Sequence, residues 1–132
     1  MPAPKPTLIK DLENAGRNAF QHDVQFINAA RGSVESFSVP AANNLVIEFV
    51  SVNFTLDSPQ VVPVVFIATS IGGGSVSHMV VLNRVDQNNW GASQVVKLYA
   101  DAATSVGVQA SSINGGTFNG HVTVVGHLVA AT

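Results

Sequence analysis

From residue 23 onward the chain is a series of short β-branched runs, each closed by turn-forming residues. DVQFINA (23–29), SVESFSV (33–39), LVIEFVSVNFTL (45–56) and QVVPVVFIATSI (60–71) come first. SVSHMVVLNR (75–84), SQVVKLYA (93–100), TSVGVQA (104–110) and GHVTVVGHLVA (120–130) follow. Between them stand Pro40 to Asn44, Asp57-Ser58-Pro59, Gly72-Gly73-Gly74, Asp86 to Gly91, Asp101 and Asn114-Gly115-Gly116. Evenly spaced runs of this kind predict an all-β antiparallel sandwich. Counted from residue 23 they number eight, which predicts a jelly roll, with a seven-stranded immunoglobulin-like sandwich as the alternative.

Two strands carry further information. In 45–56, Leu45, Ile47 and Phe49 alternate with Val46, Glu48, Val50, Val52, Phe54 and Leu56, so both faces read as apolar up to residue 50. A strand with one wet face should alternate more cleanly. The second face is therefore expected to be covered, by the N-terminal segment or by another copy. In 60–71, Pro63 cannot donate to a ladder, which predicts an edge strand or a bulge.

Upstream, residues 1–22 are expected to form an N-terminal arm or short irregular segment, and residues 23–132 the β-sandwich domain. Pro2, Pro4 and Pro6 favour an extended arm, and Leu8, Leu12 and Ala15 allow at most one helical turn before Gly16.

Charged residues make up 11% of the 132 residues, against about 25% in ordinary domains. Either much of the surface is hidden by sister copies, or the domain is an extracellular sandwich coated with Ser, Thr and Asn. The first reading predicts a homo-oligomer, with Val125, Val129, Val76 and Val80 as outward-facing contact residues. The formal net charge is −2, and Lys5, Lys10, Arg17, Arg31, Arg84 and Lys97 are scattered, so no nucleic-acid partner is expected. The absence of cysteine removes disulfides, thiolate metal sites and a cysteine nucleophile. No run reaches the ~20 apolar residues of a membrane helix. A soluble protein with no membrane insertion is expected, its compartment open and an extracellular one compatible.

No motif commits the chain to catalysis. The segment GGGSVSH (72–78) is a Gly-rich hairpin without a following helix, hence neither a phosphate loop nor a nucleophile elbow. His121 and His127 on one strand stand ~20 Å apart at ~3.3 Å per residue, too far for one metal. His78 with either of them and Asp86 or Glu48 is the remaining zinc arrangement, and neither a metal nor another cofactor is expected. Glu48, within an apolar strand, is expected to need a cationic partner such as Arg84 or Lys97. The best ligand candidate is the polar loop 86–91. There Trp90 offers a ring face, and Asp86, Asn88 and Asn89 offer hydrogen bonds, as a sugar site would. The alternatives for Trp90 are a plug over the sandwich end and a subunit contact.

The segments FSVPAANNLVIEFVS (37–51), KLYADAATSVGVQ (97–109) and GHVTVVGHLV (120–129) resemble a group of small bacterial β-sandwich proteins of uncharacterised function. Ala102-Ala103 replaces the Pro-Gly of that group, which predicts a looser corner. The resemblance brings no active residues with it. The closing strand also resembles that of the tumour-necrosis-factor-like jelly rolls, which implies a trimer. Three functions follow as expectations. The first is a non-enzymatic structural or interaction protein that self-associates. The others are a carbohydrate-binding, lectin-like module using the 86–91 loop, and a capsid or filament subunit with a swapped N-terminal arm.

Overall fold

The computed structural model describes residues 17–30, 32–113 and 115–131. They form two antiparallel sheets facing each other as a β-sandwich. The strands are β1 (Arg17–Ala29), β2 (Ser33–Ser38), β3 (Asn43–Leu56), β4 (Pro63–Ile71), β5 (Gly74–Val80), β6 (Asn83–Arg84), β7 (Asn89–Ala100), β8 (Ser105–Ser112) and β9 (Phe118–Ala130). One sheet has the order β1-β9-β3-β7-β6 and the other β2-β8-β4-β5. Pairing is nested: β1 with β9, β2 with β8 and β3 with β7, around the hairpin β4–β5. The expected arm at residues 1–16 lies outside the described residues, and β1 begins at Arg17, upstream of the Asp23 expected from the sequence.

Alternation places one face of every main strand in a common core. Val24, Phe26, Val52, Phe54, Leu56, Val65, Ile67, Val106, Val108, Phe118, Val122 and Val124 are all buried there. Phe26, Phe54 and Phe118 close one end, with ring centroids 4.9–6.2 Å apart, a geometry worth about 0.5–1.5 kcal/mol per pair beyond burial.

Strand β3 corrects the reading of its own pattern. Leu45 and Ile47 point inward before Glu48, and Val50, Val52, Phe54 and Leu56 point inward after it. The register shifts between Ile47 and Phe49 against both neighbours. One extra residue relative to β9 makes this a bulge, and it moves the inward face from odd to even positions. The apolarity of both faces in sequence is thus mostly one buried face, switched halfway. Only Val46 and Phe49 remain as large apolar residues on the outer side.

Gly126 faces the bulge, and a Cβ there would lie 1.8 Å from the Val46 carbonyl oxygen. No side chain fits such a backbone approach. Glu48, the extra residue, sets Oε1 2.6 Å from His127 Nδ1, so its partner is an imidazole rather than Arg84 or Lys97.

Three other expectations change. Pro63 is the first residue of β4, where no ladder N–H is required, and β4 lies inside its sheet between β8 and β5. The run 75–84 is two strands rather than one. After Val80 the chain leaves the second sheet, and Asn83–Arg84 pairs with Gly91 and Trp90 in the first. This crossing raises the strand count to nine among the described residues.

The corner at residues 101–104, expected to be loose, is tied on several sides. Asp101 Oδ2 accepts the Gly72 N–H at 2.7 Å, and Thr104 Oγ1 donates to the Asp101 carbonyl at 2.7 Å. The Ala102 N–H reaches Asn44 Oδ1 at 3.0 Å. Ala103 pays for this geometry with φ 62, in the left-handed region that disfavours a Cβ.

Two outcomes follow. Gly126→Ala should lower unfolding free energy by about 2–4 kcal/mol, seen as a lower urea midpoint at unchanged slope. Ala103→Gly should raise it by about 0.5–1 kcal/mol, because glycine adopts the left-handed conformation without strain.

Candidate functional site

The 86–91 segment is a tight turn running into a strand, not an open loop. Asp86 Oδ1 accepts the N–H of Asn88 at 3.0 Å, the N–H of Asn89 at 3.0 Å and Asn89 Nδ2 at 2.8 Å. One carboxylate oxygen therefore closes the turn, and Asn89, Trp90 and Gly91 join β7. The Asn89 side-chain amide, with the Asn88 N–H behind it, holds the Asp86 carboxyl below 3.8. Asn89 Oδ1 in turn accepts from Thr55 Oγ1 at 2.9 Å, and the Asn88 carbonyl accepts the Leu56 N–H at 2.8 Å.

Trp90 stands directly across from the buried Phe54 and packs half-buried against the core. Its Nε1 is buried without a hydrogen-bond partner among the described residues. The Arg84 guanidinium lies 5.3 Å from its ring centroid, while Arg84 Nη2 donates to the Pro59 carbonyl at 2.7 Å. The ring thus caps the core end. Of the four residues proposed from sequence for a sugar, Asp86 and Asn89 are engaged in the turn and Trp90 in packing.

An open volume lies beside them, on the outer face of the five-stranded sheet. A groove of about 660 Å³ is lined by Ser51 and Asn53 of β3, Asn83 of β6, Ser93, Asn89 and Trp90 of β7, and Val85 and Asp86. A second hollow, of about 260 Å³, shares Asn53 and continues toward Gln25, Ile27, Asn119 and His121. Gly120 in its wall allows β9 to lie close to β3: φ is +154, and a Cβ would meet the Asn53 carbonyl oxygen at 1.9 Å. At its margin Asp23 holds two neighbours, accepting from Thr123 Oγ1 at 2.8 Å and lying 2.8 Å from His121 Nδ1. Desolvation pushes the Asp23 carboxyl up, but the Thr123 and His121 hydrogen bonds outweigh it and leave the carboxyl below 3.8.

Beyond the bulge the same face turns apolar. Gln21, Val125, Phe49 and Val95 form one cross-strand row, and Ala19, His127, Val46 and Tyr99 the next. Val95 is 82% exposed, Tyr99 48% and Val129 37%. Val125 is half-buried in this band. The other two contact residues expected from sequence lie elsewhere. Val80 is 4% exposed in the core, opposite Val65, because its face of β5 points inward. Val76 shares that inward face at the end of the edge strand and stays 50% exposed.

Among the described residues no three His, Cys, Asp or Glu side chains converge as metal ligands, and no helix is long and apolar enough to cross a membrane. No protein-family model matches the chain, and no curated protein matches its sequence.

The Asp86 turn gives a pH prediction. A carboxyl held below its ordinary value stabilises the turn fully above pH 3.8, and that contribution is lost as pH falls through the lower folded value. The amide resonances of Asn88 and Asn89 should titrate together with a midpoint below 3.8. In Asp86→Asn they should be flat in that window.

Proposed function

We propose that this protein is a non-enzymatic structural subunit that associates with copies of itself through the outer face of its five-stranded sheet. The single observation behind this reading is the apolar band of Val46, Phe49, Val95, Tyr99, Val125 and Val129, side by side across three strands. A contiguous exposed band of this kind favours association. His127 and Glu48 within it form an ionisable pair that is internally matched. The band therefore calls for a partner surface that is itself apolar and nearly neutral. A chain with only 11% charged residues supplies such a surface. Two copies of a sheet face can also pack about a two-fold axis, each row against the same row of its partner.

The nested pairing of β1:β9, β2:β8 and β3:β7 around β4:β5 supports a jelly-roll reading of the sandwich. It is the pattern of one long hairpin rolled up, and β6 is then a two-residue detour added to the basic eight.

Sedimentation velocity at micromolar concentration should give a mass above that of one chain. Val95→Lys combined with Tyr99→Lys should reduce it to the monomer, with the β signal in circular dichroism retained. Wild-type protein that stays monomeric at high micromolar concentration overturns the proposal.

A further inference from the structure

The polar half of the same face has a separate use. We infer that the trough running from Asn83 across β7, β3 and β9 to Gln25 binds a neutral carbohydrate chain. The chemistry of its lining selects the ligand class. Ser51, Asn53, Asn83, Ser93 and Gln25 present hydroxyl and amide groups that both donate and accept. None of these side chains makes a hydrogen bond to another described residue, so a ligand breaks nothing in binding them.

Acidic ligands have no counterpart here, since no Lys or Arg among the described residues lines the trough. The carboxylate of the groove, Asp86, has one oxygen filled by three donors, and the imidazole of His121 is already held by Asp23. A purely apolar ligand would strand the amides without partners. Hydroxyl groups match them, and the apolar ring faces of sugars find Val85 and Ile27, which are 72% and 68% exposed.

Shape favours a chain over a single sugar. From β6 to β1 the trough crosses four strand spacings, about 19 Å at ~4.8 Å each. Its polar groups stand on paired strands above the Phe26, Phe54 and Phe118 cluster, so they are held in place before a ligand arrives. Of the four residues proposed from sequence, Asp86, Asn89 and Trp90 line this site and Asn88 does not. The trough and the apolar band are separable: Asn53 lies four residues along β3 from Phe49, ~13 Å at ~3.3 Å per residue.

The test is an array of immobilised gluco-, xylo-, manno- and galacto-oligosaccharides alongside uronic-acid and sialylated chains, followed by calorimetry on the strongest binder. At least one neutral oligosaccharide should bind, and longer chains should bind more tightly than the disaccharide. Asn53→Ala and Ser93→Ala should each weaken binding about tenfold or more at unchanged thermal midpoint, and Gln25→Ala should weaken only the longer chains. The Val95→Lys, Tyr99→Lys variant should bind as wild type whatever its oligomeric state, which separates this site from the self-association surface. No binding to any neutral chain, a preference for acidic chains, wild-type affinity in both Asn53→Ala and Ser93→Ala, or loss of binding in the Val95→Lys, Tyr99→Lys variant would overturn the assignment.

Discussion

The fold turns on the close approach of β9 to β3 at the bulge. Strand β3 holds one more residue than β9 between Ile47 and Phe49, and Gly126 leaves room for the displaced backbone. Every inward residue of β3 after Val50 owes its direction to that displacement. Without it Val50, Val52, Phe54 and Leu56 would face solvent, and the aromatic cluster would lose its central ring. β7 adds a further residue at the same level, stepping from Leu98 to Val95 while β3 steps from Ile47 to Phe49. The three central strands thus share one irregularity, and a bulge strengthens local twist. It also divides the outer face, with the apolar band alongside it and the polar trough beyond.

The parts of this architecture that were readable in sequence are those that depend on alternation alone. Val125 and Val129 in β9 do face outward as their alternation implied, whereas Val80 in β5, read as outward, lies in the core, because alternation separates two faces without saying which of them is inward. The bulge was not readable, because a mid-strand change of parity looks the same as a strand with two apolar sides. Pro63 and the Asn83–Arg84 crossing were missed for a related reason. Both depend on where a strand starts and which sheet it joins, and a local pattern of residue types does not encode that.

The candidate site was hidden in a different way. Asp86, Asn88, Asn89 and Trp90 stand out in the sequence as a polar cluster, and although Asp86, Asn89 and Trp90 do line the groove, the turn and the core use most of what they offer. The lining groups with no side-chain hydrogen bond among the described residues are Ser51, Asn53, Asn83 and Ser93, spread over three strands. Each looked like an ordinary outward polar residue, and only pairing brings them together. The signal available in sequence was the neutrality of these outward positions, amides and hydroxyls where solvent-facing strands commonly carry Lys or Glu.

The pairing of β1 with β9 also bears on how the chain comes into being. On a ribosome, β1 emerges roughly 90 residues before β9, its one strand partner among the described residues, a wait of about 5–20 s at common synthesis rates. Throughout that interval Phe20, Val24 and Phe26 sit on a nascent segment with no ladder to join. The sheet that carries both the band and the trough can close only after β9 has emerged, so its completion waits on the last strand described.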